Sequence, residues 1–221
     1  MRPGRQGPMA DFIRARSDEQ KEQRMAEIKQ AADELFATRP YHEITLASIA
    51  EHLGWSRAAL YKYVGTKEDI FLEVCSDKMA AYQAALLTAY PAGSTYTLPV
   101  LTEVWTEQLV SHRGYFRYCD LLSAVIETNC SIKRLAAFKA RYHEGQDALV
   151  DRFAQNLHAE PARMGQLLMA VYYHAVGINS WCYENPLIQQ ALELAGLPQT
   201  APDFRGEMRG FVAMCLAHYA S

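Results

Sequence analysis

Residues 45–69, TLASIAEHLGWSRAALYKYVGTKED, decide how the chain is read. Thr45 is a good N-cap, and Leu46, Ile49, Ala50 and Leu53 follow at helical spacing, so a short helix opens there. Gly54 stands where a left-handed C-terminal cap wants glycine, and Ser56 is placed to cap another helix after a turn of about three residues. Two short helices joined so tightly, with small Ala50 letting them approach, describe a helix-turn-helix. The second helix is predicted to run for roughly two turns over residues 57–63, with Leu60 turned inward and Ser56, Arg57, Ala58, Tyr61 and Lys62 turned out.

The outward groups suit DNA. A guanidinium bonds bidentately to guanine, small alanines permit close approach or touch a thymine methyl, and tyrosine hydroxyls and lysine ammonium groups hold phosphates. The helix N-terminal amides at Thr45 and Thr66 offer further anion sites. By pattern alone, a helical hairpin with a solvated face accounts for the same residues equally well.

Upstream, residues 1–16 carry Pro3, Gly4, Gly7, Pro8 and four arginines. They read as a flexible basic arm, either a solvated tail or a strand of chain lying along DNA, and Met9 is an alternative start. Ser17, with Gln20 completing a capping box, is predicted to open a helix that buries Met25, Ile28, Ala32, Leu35 and Phe36 and stops near Arg39-Pro40. Downstream, Thr66 with Asp69 forms a second predicted capping box. It starts a long helix through Ile70, Phe71, Val74, Met79 and Tyr82 that ends near Tyr90-Pro91, where Pro91, Gly93 and Ser94 mark a linker. From Thr97 the chain reads as helices, with breaks at Arg113-Gly114, Asn129, Glu160-Pro161, Asn185-Pro186 and Leu197-Pro198.

Composition sets bounds. With 221 residues, half of them hydrophobic, the chain has enough apolar material for a sizeable core. A net charge of −3 excludes a generally basic polymer binder, so any nucleic-acid contact needs a local patch. Residues 39–67 supply one, with Arg39, Arg57, Lys62 and Lys67 against Glu43 and Glu51. The five cysteines are scattered without Cys or His ligand spacing, which fits a reduced cytoplasmic protein with no metal and no cofactor. The N-terminus lacks the apolar run of a signal peptide, so the Asn129-Cys130-Ser131 sequon is read as chance. Residues 164–183 carry no charge and are long enough to span a bilayer, but Gln166, His174, Asn179 and several tyrosines argue for a helix buried between protein surfaces.

The run T-x-x-x-I-A-x-x-x-G-x-S-x-A-x-L-Y-x-Y-V-x-x-K-E-x-I closely resembles the DNA-binding domain of the TetR family of transcriptional regulators. It is carried by Thr45, Ile49, Ala50, Gly54, Ser56, Leu60, Tyr61, Tyr63, Lys67 and Glu68, and with the preceding helix it covers about residues 18–75. Val64 stands where most members have Phe, Ala58 where Gly is common, and Arg39-Pro40-Tyr41 replaces a Gly-containing turn. The resemblance implies that Thr45, Tyr61, Tyr63 and Lys67 hold the phosphate backbone and that Ser56, Arg57, Ala58 and Lys62 lie on the recognition helix. Arg57 is the first choice for reading bases. Ser48 is a further backbone candidate.

An all-α fold follows, with a flexible arm (1–16), a three-helix helix-turn-helix head (17–70) and a larger helical effector-binding and dimerisation domain (71–221). In the resembling family the last two long helices pair into a four-helix dimer interface. Val171, Ala175 and Ile178, with the stripe Met208, Phe211, Val212, Cys215 and Tyr219, are the candidates here. Such a homodimer sets two recognition helices about 34–36 Å apart, matching a pseudo-palindromic operator. Aromatic and polar groups in the larger domain, Trp105, Tyr115, Tyr118, Asn129, Tyr142, Tyr172, Tyr173, His174 and Trp181, suggest a pocket for a small apolar or aromatic effector. The expected function is a ligand-responsive repressor. Its alternatives are an activator or ligand-independent regulator of the same fold and, more remotely, an interaction module or an enzyme. His143-Glu144 and His174 are the only groups resembling an acid–base pair, without the spacing of a catalytic or metal motif.

Overall fold

Helix α1 (Pro8–Thr38) turns Ile28, Ala31, Ala32, Leu35 and Phe36 onto one buried stripe and ends just before Pro40, because the residue preceding a proline avoids the helical region. The computed structural model describes residues 8–181, 186–198 and 202–220. Residues 8–16 of the expected arm are helical, and Ser17 lies inside α1 instead of capping it. Pro8 suits a first helical position, and the alanines and arginines after it are good helix formers. Residues 1–7 of the arm lie outside the described residues.

A 3-10 turn (Tyr41–Glu43) leads into α2 (Leu46–His52), where Thr45 and Ser48 form the capping box. The Thr45 hydroxyl accepts from the Ser48 amide at 3.1 Å, and the Ser48 hydroxyl accepts from the Thr45 amide at 3.0 Å. Gly54, at φ +66°, reverses the chain, and Ser56 caps α3 (Arg57–Leu60). The predicted two turns shorten to one: residues 61–63 leave the α-helix as a turn, with the Tyr63 amide donating to the Leu60 carbonyl at 3.0 Å. Leu60 and Val64 are buried on either side of this turn and close the head's core with Ile44, Ile49, Ala50, Ile70 and Phe71.

Helix α4 (Lys67–Ala89), about 34 Å long at 1.5 Å per residue, joins the head to the bundle. Thr66 caps it by accepting from the Asp69 amide at 3.1 Å. The second half of the predicted box is rearranged, since the Asp69 carboxylate accepts from Gly65 at 3.4 Å and from the Ser131 amide at 2.8 Å. The bundle then runs α5 (Leu98–Ser111), α6 (Arg113–Leu121), a π-helical turn (Leu122–Ile126), α7 (Glu127–Asn129), α8 (Ile132–Leu157), α9 (Pro161–Trp181), α10 (Pro186–Leu194) and α11 (Phe204–Tyr219). His158, left-handed at φ 52°, closes α8 two residues before the predicted break at Glu160-Pro161.

Helix α8 lies parallel to α4 and grips it with three arginines. Arg134 bonds Glu73 at 2.5 Å near the start of α4, Arg141 donates to the Ser76 hydroxyl at 3.3 Å, and Arg152 donates to the Leu87 and Tyr90 carbonyls at the end, both at 2.9 Å. Buried Asn156 fixes the linker beyond α4, accepting from the Gly93 amide and donating to the Pro91 carbonyl. Helix α11 packs antiparallel to α5 through the Arg205–Glu107 and Arg209–Glu103 pairs, and antiparallel to α9, whose Arg163 donates to the last carbonyls of α11. The uncharged run 164–183 forms the body of α9 as far as residue 181, and Cys182 lies outside the described residues. Among the described residues, no helix is long and apolar enough to cross a membrane.

Candidate functional site

The head presents one polar surface. Ser56, Arg57, Ala58, Tyr61 and Lys62 are exposed together around α3 and the turn after it, and exposed Thr45 and half-buried Ser48 flank them from the start of α2. Among the described residues neither Arg57 nor Lys62 has a side-chain partner. Leu60, fully buried, is the anchor that turns this face outward. Tyr63 is half-buried with its ring 6.0 Å from Trp55, whose other neighbour is the Arg24 guanidinium at 5.1 Å.

Lys67 is differently placed from the other basic groups. Its ammonium donates to the Tyr41 carbonyl at 2.9 Å and the Ile44 carbonyl at 2.8 Å, and it sits 3.9 Å from the centre of the Tyr41 ring. Burial lowers its pKa, opposed by the Glu68 charge. Tyr41 in turn donates to Glu68 at 2.6 Å and packs edge-on against Phe36 and Phe71. The Arg39-Pro40-Tyr41 turn is thereby held to the start of α4 by side chains, where a glycine-based turn would rely on backbone alone. Thr66 has its hydroxyl engaged in the cap.

The bundle holds a small cavity of about 30 Å³ between α4, α6, α8 and α9, lined by Tyr82, Gln83, Tyr115, Tyr142, Gln146, Leu149, Leu168 and Tyr172. Of the predicted pocket residues, Tyr115, Tyr142 and Tyr172 are there. The other six are not, and each has a local reason. Trp105 is core, its indole donating to Tyr82 at 2.9 Å. Tyr118 faces α1, donating to Asp33 at 2.8 Å. Asn129 is exposed and donates to the Val125 carbonyl at 2.8 Å. Tyr173 and Trp181 face outward, and His174 stacks on Phe211 at 3.8 Å.

Tyr82, Gln83 and Gln146 were not anticipated. The available signal was Gly145, a glycine inside a long amphipathic helix, which marks a close approach. A Cβ there would overlap the Gln83 carboxamide. Beside the cavity the Cys75 and Cys119 thiols adjoin, and contact with Cys119 together with burial pushes the Cys75 thiol well above its ordinary range.

The expected dimer residues divide between positions covered within the chain and half-covered ones. Val171, Ala175, Met208, Val212 and Cys215 are buried inside the single chain, where they pack α9 against α11, while Ile178, Phe211 and Tyr219 are half-buried. The stripe read from the sequence is the intramolecular face. The opposite faces of these helices expose Tyr173, Gly177, Trp181, Gly210, Met214 and Ala217, and α10 adds Leu187, Ile188 and Leu194.

Residues 28–74 match the family model described as "Bacterial regulatory proteins, tetR family", and residues 76–217 match "Tetracyclin repressor-like, C-terminal domain". The HTH-type transcriptional repressor AcnR of Corynebacterium jeikeium (strain K411) is 38% identical over 63 residues, a stretch covering 28% of this chain and 33% of that repressor. The chain therefore spans about a third of the curated relative it matches. A tetR-family regulatory protein from Rhodococcus RHA1 superposes with a TM-score of 0.61 at 17% identity, covering 87% of this chain and 95% of the other. A TetR/AcrR-family regulator from Thermobifida fusca YX-ER1 gives 0.59 at 19%, covering 89% and 98%. These two likenesses concern the fold.

Proposed function

The chain belongs to the TetR family of bacterial transcriptional regulators, and from that premise we propose that it is a ligand-responsive repressor acting as a homodimer on a pseudo-palindromic operator. The observation that carries this reading is the exposed face around α3, where Arg57 on a helix anchored by Leu60 and Lys62 on the turn after it stand without side-chain partners among the described residues. An unpaired guanidinium at the start of a recognition helix is free to bond a guanine edge, and Lys62, Tyr61 and Thr45 supply phosphate contacts around it. Thr66, like Thr45, accepts an amide in its cap and keeps its hydroxyl hydrogen to donate to a phosphate. Lys67, held by two carbonyls, positions the turn before α2. The relative named as a repressor supports repression.

Dimerisation is assigned to the exposed sides of α9 and α11, around Tyr173, Gly177, Gly210 and Met214. Small residues there let helices approach closely, and large exposed apolar side chains seek cover. The effector enters the cavity between α4 and α8. Because α4 continues into the head and α8 grips it along its length, a ligand that favours one packing of this pair changes the spacing of the two heads. Affinity for DNA shifts only by the ligand's discrimination between the two states. The site of action is the cytoplasm, and the chain acts by binding, without catalysis.

The test is selection of duplexes from a random-sequence pool, followed by anisotropy titration of the winner at fixed salt. Arg57→Ala should weaken binding by about 1–3 kcal/mol and relax preference at one position of each half-site. Equal affinity and equal preference in the variant and the wild type would remove the recognition-helix assignment.

A further inference from the structure

The cavity between α4 and α8 has a lining with no charged side chain. Four phenols (Tyr82, Tyr115, Tyr142 and Tyr172) and two carboxamides (Gln83 and Gln146) supply its polarity. Gln83 is 7% exposed yet makes no hydrogen bond to any described residue. With so little exposure and no protein partner, its carboxamide keeps a donor and an acceptor for whatever enters the cavity that it lines. Its position is also built in, since Gly145 on α8 leaves the space that the Gln83 carboxamide fills. Tyr82 already accepts from Trp105, so its own hydroxyl hydrogen remains to donate.

We infer that this site takes a flat, uncharged aromatic molecule presenting both a hydrogen-bond donor and an acceptor, met by the Gln83 carboxamide between the tyrosine rings. The inference rests on the ligand-responsive reading above and adds the chemistry of the effector. A carboxylate or an ammonium group would enter without a counter-ion and lose its hydration in an uncharged lining, a cost that a neutral group of the same shape avoids. The rings favour an aromatic body by offset and edge-on stacking. The cavity of about 30 Å³ has room for little more than a water molecule, so the ligand must displace the Gln83 side chain from the space over Gly145. That movement occurs on the α4–α8 contact itself and reaches the helix that carries the head.

Three matched probes test this on the full chain: 4-hydroxybenzamide, which is neutral, and its charged isosteres 4-hydroxybenzoate and 4-hydroxybenzylamine, titrated calorimetrically at pH 7. The expected result is saturable binding of the benzamide at least about tenfold tighter than either isostere. Gln83→Leu, similar in volume, should weaken the benzamide by about tenfold. Equal or tighter binding of a charged isostere, no saturable binding by any probe, or full benzamide affinity in a folded Gln83→Leu protein would each overturn the inference. The probe comparison on the wild type stands even where the variant does not fold. Release from a selected duplex is read separately. Benzamide binding that leaves DNA affinity unchanged supports the ligand chemistry and removes the ligand-responsive reading. DNA release driven only by a charged isostere keeps that reading and overturns the ligand chemistry.

Discussion

Arg134, in the first turn of α8, donates to the Tyr63 carbonyl at 3.0 Å, so the bundle holds the turn that follows the recognition helix by a direct bond. The same guanidinium pairs with Glu73 and lies 3.9 Å from the nearly buried Asp69 carboxylate. Arg134→Ala should therefore lower the unfolding free energy by about 1–3 kcal/mol, because a buried carboxylate and a carbonyl lose partners together. Amide hydrogen exchange at residues 61–65 should accelerate while α9 and α11 keep their protection. Unchanged exchange in that turn would show that the bond transmits nothing.

Lys62 and Lys67 should separate cleanly in the laboratory. Lys62→Ala should weaken all duplexes alike and reduce the slope of log affinity against log salt by about 1, as loss of one phosphate contact does. Lys67→Met should first destabilise the head by about 1–2 kcal/mol, since two carbonyls and the Tyr41 ring lose their cation. A Lys67→Met protein of full stability with a salt slope reduced by 1 would reassign Lys67 to the phosphate backbone.

Gly54 has open space around its Cα, so Gly54→Ala tests backbone conformation alone. At φ +66° the added Cβ should cost about 1–2 kcal/mol in urea unfolding. A neutral result would mean that the turn between α2 and α3 adopts another conformation in solution.

The two sides of α9 and α11 make opposite predictions. Met214→Glu or Tyr173→Glu, on the exposed side, should halve the mass seen by sedimentation without loss of helical signal. Met208→Ala, on the buried side, should cost about 2–5 kcal/mol of subunit stability through the cavity it leaves. Retention of the dimer by both glutamate variants would move the interface elsewhere.

His174 provides a pH signature. Desolvation lowers its pKa below the ordinary histidine value, with Glu207 on α11 opposing the shift. The unfolded chain then binds the proton more readily than the folded one as pH falls through about 6.5. Its contribution to stability is thus present at neutral pH and lost on acidification. Thermal midpoints of His174→Gln should fall less steeply than those of the wild type between pH 7.5 and 5.5, and parallel curves would contradict the assignment.

By itself the sequence determined the caps of the head's helices and the glycine turn between them. Thr45, Ser56 and Thr66 cap because their hydroxyls reach amides within three residues, and Gly54 reverses the chain because only its own φ must change. Such choices are local and survive without knowledge of the partner helix. Tertiary structure decided which face of each helix is covered and which polar groups meet. The stripe on α11 has the same period whether it packs on α9 or on a second subunit, so periodicity alone could not place Met208 inside. Only the fold brings the Tyr41 and Ile44 carbonyls to the Lys67 ammonium, and Arg134 reaches Tyr63 across 71 residues of chain. Gln83 gains its buried, unpartnered place only when α8 docks Gly145 beside it. Those relationships are set by helix packing, where the energy of a side chain depends on neighbours distant in sequence.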